Sequence, residues 1–159
     1  MNLLTVTIGG IEVSDDRSRV LVTHGLGSCV AVMTWDPVCR IAGMLHFQLP
    51  SAALSPDRAK DSPGTFADSG IPLLFERMYM LGAKKGNIVV KVAGGGSFHG
   101  DTDTFDIGRR NYTMMRKIFW KNQVLIAAED IGGNRSRTAR LFVDTGQVTI
   151  QSGSEVISL

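Results

Sequence analysis

Short strand-like segments separated by glycine and proline turns dominate this chain and restrict the folds open to it. Only two stretches have the apolar spacing of an amphipathic helix, from Ile71 to Leu81 and from Arg109 to Lys121. The other apolar runs are short and rich in β-branched residues, as in strands. Strands are predicted over residues 20–23, 29–35, 40–48, 87–93, 124–129, 138–143 and 148–151. Strands that outnumber two interspersed helices indicate an α+β domain built on a mixed sheet.

The length of the chain, 159 residues, predicts one domain over residues 1–159. Its longest apolar runs are five residues long, against the roughly 20 that cross a bilayer, so no membrane insertion is expected. The first residues lack the basic and apolar regions of a secretion signal, which favours the cytoplasm. A net charge of +2 is too small a basic excess to predict nucleic acid as a partner.

Two cysteines, Cys29 and Cys39, lie on either side of a predicted hairpin turn at Asp36-Pro37. A two-residue loop between Asp36 and Cys39 would place Cys29 directly opposite His46 and Cys39 opposite Asp36. Residues opposite each other in an antiparallel pair have Cβ atoms ~4.5–5.5 Å apart, so a thiol and an imidazole could share a proton there. The same register keeps the two cysteines too far apart for a disulfide. Cys29 and His46 are therefore candidates for a nucleophile and its base.

Glycines precede Cys29 and suggest how a charged intermediate could be stabilised. Gly25 and Gly27 favour a tight turn in which backbone N–H groups, near Ser28, are free to face an oxyanion. A simpler interpretation is also open: Cys29 is a small buried hydrophobe and His46 a satisfied core histidine. In its apolar surroundings, however, the imidazole must lose its charge or find a partner, and Cys29 is available.

Other motifs do not predict a second chemistry. The run Gly94-Gly95-Gly96-Ser97 follows a strand but lacks the Gly-Lys-Ser/Thr of a phosphate loop. Ser28 does not lie in the Gly-x-Ser-x-Gly elbow of serine hydrolases. Neither Cys-x-x-Cys nor His-Glu-x-x-His spacing is present, so no metal site and no cofactor are expected. The side chains considered as metal ligands are His24, His46, His99, Cys29 and Cys39.

The stretch Thr-His-Gly-Leu-Gly-Ser-Cys-Val-Ala-Val at residues 23–32 resembles the CheD family of chemoreceptor glutamine deamidases. This sequence differs from the family at His24, where the family usually has an aliphatic residue, and in the polar segment 97–105. It otherwise covers nearly the whole chain in order. Its further motifs are Asp36-Pro37, Gly-Met-Leu-His-Phe-Gln-Leu-Pro at 43–50, Ala67-Asp68, Ile71-Pro72, Gly94-Gly95, Ile-Gly-Arg-Arg-Asn at 107–111, and Asp-Ile-Gly-Gly-Asn at 130–134 before Arg137.

The resemblance implies a fold and a reaction. The fold would be a mixed-sheet α/β sandwich similar to the catalytic domain of cytotoxic necrotizing factor toxins. Cys29 would be the nucleophile, His46 the general base and Thr23 the residue that orients the imidazole, and a thioester would be hydrolysed without metal or cofactor. Gly94 and Gly95 would shape a wall of the site. The substrates would be glutamines on the cytoplasmic domain of chemoreceptors, with the phosphatase CheC as a second partner.

Other functions stay open from the sequence. A regulatory module could use the same pocket to bind a receptor or CheC helix with slow turnover or none. A peptidase would need a long cleft, and the 17-residue step from Cys29 to His46 differs from papain-like spacing. The rate should rise as a group near neutrality ionises, because either a thiolate–imidazolium pair or a neutral His46 must form.

The basic residues are expected mostly on solvated faces, although some could attract acidic receptor helices. The sequence does not rank them. They are Lys84, Lys85, Arg109, Arg110, Arg116, Lys117, Arg135, Arg137 and Arg140.

Overall fold

The computed structural model describes residues 2–98 and 105–159, so His99, one of the residues considered as a metal ligand, lies outside the described residues, as does most of the polar segment 97–105. Within those ranges the helices are α1 (Pro56–Asp61), α2 (Ala67–Met80) and α3 (Ile107–Lys121). The strands are β1 (Asn2–Thr5), β2 (Ile11–Ser14), β3 (Arg19–Leu26), β4 (Val30–Asp36), β5 (Ile41–Phe47), β6 (Val89–Gly94), β7 (Ile126–Ile131), β8 (Arg137–Phe142), β9 (Val148–Ser152) and β10 (Glu155–Ser158). No helix in the described part of the chain is long and apolar enough to cross a bilayer.

The strands form two mixed sheets of five strands each. The first sheet has the order β1-β3-β8-β9-β10, and the second has the order β2-β5-β4-β6-β7. One pair in each sheet is parallel, β1 with β3 and β6 with β7, and the other pairs are antiparallel. This arrangement confirms the predicted α+β class and the mixed-sheet sandwich, with two stacked sheets.

The second sheet separates two apolar cores because its side chains alternate between faces. On β4, Val30 and Val32 pack in the core beneath α2 and α3, whereas Ala31 and Met33 pack in the core between the two sheets. Every residue of the neighbouring strand β5 is buried, as expected for a strand covered on both faces. The molecule therefore has three layers: the first sheet, the second sheet, and the helices on its outer face.

Three strands and one helix were missed by the sequence patterns. The missed strands, β1, β2 and β10, are four residues long and lie at sheet edges, and the missed helix α1 has six residues. β1 and β10 are mostly exposed, so neither carries the alternation that marks a half-buried strand. The seven predicted strands are confirmed in the structure, with ends shifted by up to three residues.

Helix α2 begins before the apolar spacing that starts at Ile71. It starts at Ala67, and Phe66 occupies the N-cap position without a side-chain hydrogen bond. The Asp68 carboxylate accepts hydrogen bonds from Ser51 Oγ at 2.9 Å and from the N–H of Ala52 at 2.8 Å. That carboxylate ties the helix to the loop before it.

The turn between β4 and β5 is longer than predicted. It contains four residues, 37–40, and Asp36 pairs with Ile41. The Asp36 carboxylate accepts a hydrogen bond from the N–H of Val38 at 2.8 Å, and the Asp36 carbonyl accepts one from the N–H of Arg40 at 2.8 Å. Arg40 has a φ of +54°, which closes the turn.

This turn changes the register of the hairpin. His46 pairs with Ala31, so the prediction that Cys29 lies directly opposite His46 is wrong. Cys39 is exposed within the turn, so its predicted pairing with Asp36 is also wrong. Both cysteines are free, in agreement with the absence of a disulfide between them.

Candidate active site

Cys29 and His46 remain neighbours despite the change of register, because they lie diagonally on one face of the second sheet. Cys29 immediately precedes β4, two residues before Ala31, the cross-strand partner of His46. Side chains two residues apart on a strand share a face, and Cys29 and Ala31 both pack in the core between the sheets. Diagonal neighbours are ~7–8 Å apart, a gap that a side chain as long as histidine spans.

Thr23 holds the imidazole of His46 from the opposite sheet. Thr23 Oγ1 lies 2.7 Å from His46 Nδ1 and 2.6 Å from the carbonyl oxygen of Val6. A carbonyl only accepts, so the single hydroxyl proton of Thr23 is donated to Val6. The Nδ1–H of His46 then donates to Thr23, and Nε2 is the nitrogen with the free lone pair. Spacing along the chain did not predict this contact, and only the family resemblance pointed to Thr23.

The free nitrogen of His46 is poised as a base. Nε2 is buried and has no hydrogen-bond partner among residues 2–98 and 105–159. Burial lowers the pKa of His46 to about 4, and burial raises the pKa of the Cys29 thiol more than its own backbone N–H lowers it. Both shifts favour a neutral thiol beside a neutral imidazole. The sequence left two resting states open, a thiolate–imidazolium pair and a neutral His46. The shifts favour the neutral His46, whose pKa then lies at about 4 and not near neutrality.

Residues 27–29, which we call the nucleophile loop, are anchored through all three of their carbonyl groups. The carbonyl of Gly27 accepts a hydrogen bond from the N–H of Gly96 at 2.9 Å. The carbonyl of Ser28 accepts one from Asn111 Nδ2 at 3.0 Å, and that of Cys29 accepts one from the N–H of Gly95 at 2.8 Å. Two of the donors belong to the glycine run that follows β6. The third is a side chain on α3, and sequence reasoning did not single it out.

Glycines are required where the run after β6 meets the nucleophile loop. Gly94 has a φ of +117°, and a Cβ there would overlap the carbonyl oxygen of Cys29. Gly27 lies under the ring of Phe98, which would stand 3.2 Å from an added Cβ. This close approach is consistent with a wall-forming role for Gly94.

The backbone N–H groups expected to face an oxyanion are only partly free. The N–H of Gly27 donates to the carbonyl of Gly25 at 2.9 Å, so the prediction that it is available is wrong. The N–H groups of Ser28 and Cys29 have no backbone acceptor within the described ranges. Gly25, with a φ of +67°, shapes a bulge at the end of β3. The candidate oxyanion donors are therefore the N–H groups of Ser28 and Cys29.

The other candidate residues lie away from this constellation. His24 is exposed, and its Nδ1 is 3.4 Å from Thr138 Oγ1. Within the part of the chain that the structure describes, no three histidine, cysteine or acidic side chains are grouped to hold a metal. Arg137 differs from the solvated basic residues: it is buried, with Nε 3.0 Å from Asp130 and Nη2 2.5 Å from the carbonyl of Gly132.

Replacing Thr23 by valine is expected to lower kcat about tenfold to a hundredfold with little change in KM. The variant removes a hydrogen bond to an imidazole that becomes charged during the reaction, an interaction worth ~1.5–3 kcal/mol. Thr23→Ser keeps the hydroxyl and should recover most of the rate. Steady-state kinetics per folded molecule check this. Equal kcat values for the two variants would contradict an orienting role.

Stability is expected to fall as the pH drops below about 6.5, through His46. The unfolded histidine has a pKa of about 6.5 and the buried one a pKa of about 4. Between those values the unfolded chain binds a proton that the folded chain does not, so roughly 3 kcal/mol of unfolding free energy is lost by pH 4. Urea unfolding at pH 7 and pH 4 measures the loss. His46→Gln should lose less, and an identical loss in both proteins would argue against a buried neutral imidazole.

A buried thiol on the same sheet face as an imidazole that is hydrogen-bonded to a threonine is the arrangement expected of a thiol-dependent hydrolase of the cysteine–histidine type. A family model described as CheD chemotactic sensory transduction matches residues 48–152, two thirds of the chain. The chain belongs to the CheD family. The match begins after His46, and the three site residues lie in the part covered by the full-length relatives described next.

Three relatives are similar over almost the whole chain. "Probable chemoreceptor glutamine deamidase CheD 2" of Anaeromyxobacter dehalogenans is 58% identical over 159 residues, covering 100% of both chains. The protein of the same description numbered CheD 1, from Syntrophus aciditrophicus, is 50% identical and covers 96% of this chain and 95% of its own. The CheD of Solibacter usitatus is 39% identical over 98% of this chain and 92% of its own.

Among solved structures, Neisseria meningitidis protein NMB0706 aligns with 84% of this chain and 63% of its own length. The TM-score is 0.49 and the sequence identity is 11%.

Proposed function

We propose that this chain is a protein glutamine deamidase that converts side-chain amides of chemoreceptor glutamines to glutamates. The observation that carries the proposal is the hydrogen-bonded pair of Thr23 and His46, which leaves Nε2 of the imidazole free on the face that Cys29 shares. The relatives with this function in their names span the whole chain, and the same reaction is what a thiol–imidazole pair performs on an amide.

In the first half of the reaction, His46 Nε2 takes the proton of the Cys29 thiol, and the sulfur attacks the carbonyl carbon of the glutamine side chain. The negative charge that forms on the carbonyl oxygen faces the N–H groups of Ser28 and Cys29. The imidazolium then gives its proton to the departing nitrogen. Ammonia leaves, and the glutamyl group is held as a thioester on Cys29.

In the second half, His46 takes a proton from water, and the resulting hydroxide attacks the thioester carbonyl. Collapse of this intermediate breaks the carbon–sulfur bond, releases glutamate and returns the proton to the sulfur. Thr23 keeps Nδ1 protonated throughout, so that the same nitrogen, Nε2, accepts and donates in both halves. The protein supplies every proton transfer from its own side chains.

The domain that performs this reaction extends over residues 1–159 in our proposal, because the site draws Thr23 from one sheet and His46 from the other. The cytoplasmic domain of the receptor is the partner, which places the activity in the cytoplasm. The phosphatase CheC is proposed as a second partner on the basis of the family resemblance. Competition between purified CheC and receptor for the protein would support that assignment, and independent binding of both would oppose it.

The test is incubation with a recombinant chemoreceptor cytoplasmic domain, followed by mass spectrometry of each peptide. Conversion of glutamine to glutamate at a few positions, absent with Cys29→Ala, is expected. An unmodified receptor bound tightly would favour a regulatory binding module instead. Cleavage of the receptor backbone would favour a peptidase, although a helical side chain enters a small pocket more readily than a helical peptide bond does.

A further inference from the structure

Among the described residues, Asn111 is the side chain that hydrogen-bonds to the nucleophile loop, and its position within the fold is unusual for a polar residue. It lies on α3, its exposed fraction is 0%, and it is on the side of the second sheet opposite the thiol. Its Nδ2 donates to the carbonyl of Ser28 at 3.0 Å and to the carbonyl of Gln48 at 2.9 Å. Both proton donors of one amide group are therefore used on the backbone beside the site.

The carbonyl that Asn111 binds belongs to the same peptide group as the N–H of Cys29. In a trans peptide the C=O and N–H bonds point in opposite directions, so fixing one fixes the other. The N–H of Cys29 belongs to the residue that carries the attacking sulfur, so this N–H is held beside the thiol. It has no backbone acceptor in the described ranges. When the sulfur attacks an amide, negative charge develops on the carbonyl oxygen, and an N–H beside the sulfur is a donor suited to that charge.

We propose that Asn111 is a positioning residue, which orients the Ser28–Cys29 peptide so that the N–H of Cys29 stabilises the oxyanion. The proposal rests on the deamidase function proposed above. The Oδ1 of Asn111 is buried without a hydrogen-bond partner among the described residues, so the amide nitrogen alone forms its contacts. An aspartate of the same shape would lose both donors and set a negative charge against two carbonyl oxygens.

Asn111→Ala is expected to lower kcat about tenfold to a hundredfold, with KM within threefold of the wild-type value. Asn111→Asp should be at least as slow. Asn111→Ser retains one donor and should fall between alanine and wild type. Rates are expressed per folded molecule, and the thermal midpoint is measured for each variant. Asn122→Ala is the matched control, because Asn122 also donates its amide to a backbone carbonyl, that of Ile118, at the far end of α3.

A second readout separates this role from a structural one. Alkylation of Cys29 by iodoacetamide forms no oxyanion. In a Cys39→Ala background, the alkylation rate of Asn111→Ala should therefore stay within threefold of the rate measured with Asn111 intact. A merely structural role would lower the thermal midpoint and leave kcat per folded molecule unchanged, which would overturn the proposal. A wild-type protein that alkylates normally but releases no ammonia from the receptor would overturn the proposed function itself, and with it this role.

A different observation concerns the outer surface of α3. A groove of about 410 Å³ runs along this helix next to Pro50, and we call it the α3 groove. Among the described residues that line it, three are basic, Arg109, Arg110 and Lys117, and none is acidic. No ion pair within the described ranges involves Arg110 or Lys117, and Arg109 is 4.0 Å from Asp106.

The α3 groove is connected to the site through Gln48 and Asn111. Pro50 follows Gln48 by two residues, and Asn111, next to Arg110 on the helix, binds the carbonyl of Gln48. The groove therefore lies on the same turn of α3 that Asn111 joins to the nucleophile loop. We infer that the α3 groove binds an acidic segment of the protein substrate, which its three basic side chains attract and its apolar lining supports. This inference also rests on the deamidase function.

The charge reversal Arg110→Glu with Lys117→Glu is expected to raise KM for the receptor domain at least about tenfold at low salt, with kcat within twofold. The KM of the variant should also depend less on salt. The pair Lys84→Glu with Lys85→Glu, at the far end of the second sheet, is the matched control and should change little. Ammonia release from a short uncharged glutamine peptide should be the same for all three proteins.

Equal KM values for the groove variant and the control would overturn the groove inference while leaving the deamidase function intact. A lower rate on the short peptide in the groove variant would also overturn it, because the effect would then be on chemistry. Loss of ammonia release from both substrates in the wild-type protein would instead overturn the proposed function.

Discussion

Cys29→Ala is expected to abolish ammonia release from a chemoreceptor domain, with a loss of at least about a thousandfold. Alanine keeps the volume of the side chain close to that of cysteine and removes the sulfur that attacks the amide. The nucleophile loop is held by its carbonyl groups, so its backbone should keep its shape. Receptor binding should survive, and a pull-down with the variant measures it.

Cys39→Ala is the control for Cys29, because Cys39 is exposed in the turn at the opposite end of β4. Its pKa is raised by slight desolvation in the turn and by the neighbouring Asp36 carboxylate, so it is a weak nucleophile at neutral pH. The variant should keep full activity. Turnover within tenfold of wild type in Cys29→Ala would mean that another group attacks the substrate, and the thiol mechanism would be abandoned.

His46→Ala is expected to lower kcat at least about a hundredfold, because proton transfer by a positioned base contributes ~10²- to 10⁴-fold. The thiol of Cys29, with its pKa raised by burial, is protonated at neutral pH and needs that base. The loss should shrink at high pH, where hydroxide removes the thiol proton directly. Initial rates from pH 6 to pH 10 measure it.

His24→Ala is the matched control for His46. It removes an imidazole from β3, one residue from Thr23, but that imidazole is exposed and touches only Thr138 at 3.4 Å among the contacts described. Its rate should stay within twofold of wild type. An equal loss in both histidine variants would point to a general effect on β3 and its surroundings in place of base catalysis.

The helices and the buried strands were predictable because their signal is local. Apolar spacing from Ile71 to Leu81 and from Arg109 to Lys121 marks α2 and α3, and each extends within a few residues of the prediction. The register of the β4–β5 hairpin was not predictable, because it depends on the Asp36 carboxylate and on the positive φ of Arg40. The residues that follow Asp36 are compatible with a two-residue turn and with a four-residue turn, so the sequence alone does not give the length of the turn.

The site was predictable only in part, for the same reason. Cys29 and His46 belong to one hairpin, so a local argument found the pair even with the wrong register. Thr23 comes from the other sheet, and Asn111 reaches Ser28 across 83 positions of chain. Contacts between residues so far apart in the sequence depend on how the layers stack. The apolar periodicity within one segment does not predict them. Only the family resemblance identified Thr23 as a candidate site residue.

The two-sheet origin of the site has a consequence for a chain still being made on the ribosome. Thr23, Cys29 and His46 are all synthesised early, but β3, which carries Thr23, has β8 as its neighbour, and Thr23 pairs with Ala139. That strand leaves the ribosome near the end of synthesis. A growing or truncated chain that stops before residue 137 lacks β8, so we expect it to lack a firmly placed Thr23 and to gain activity only once the protein is nearly complete.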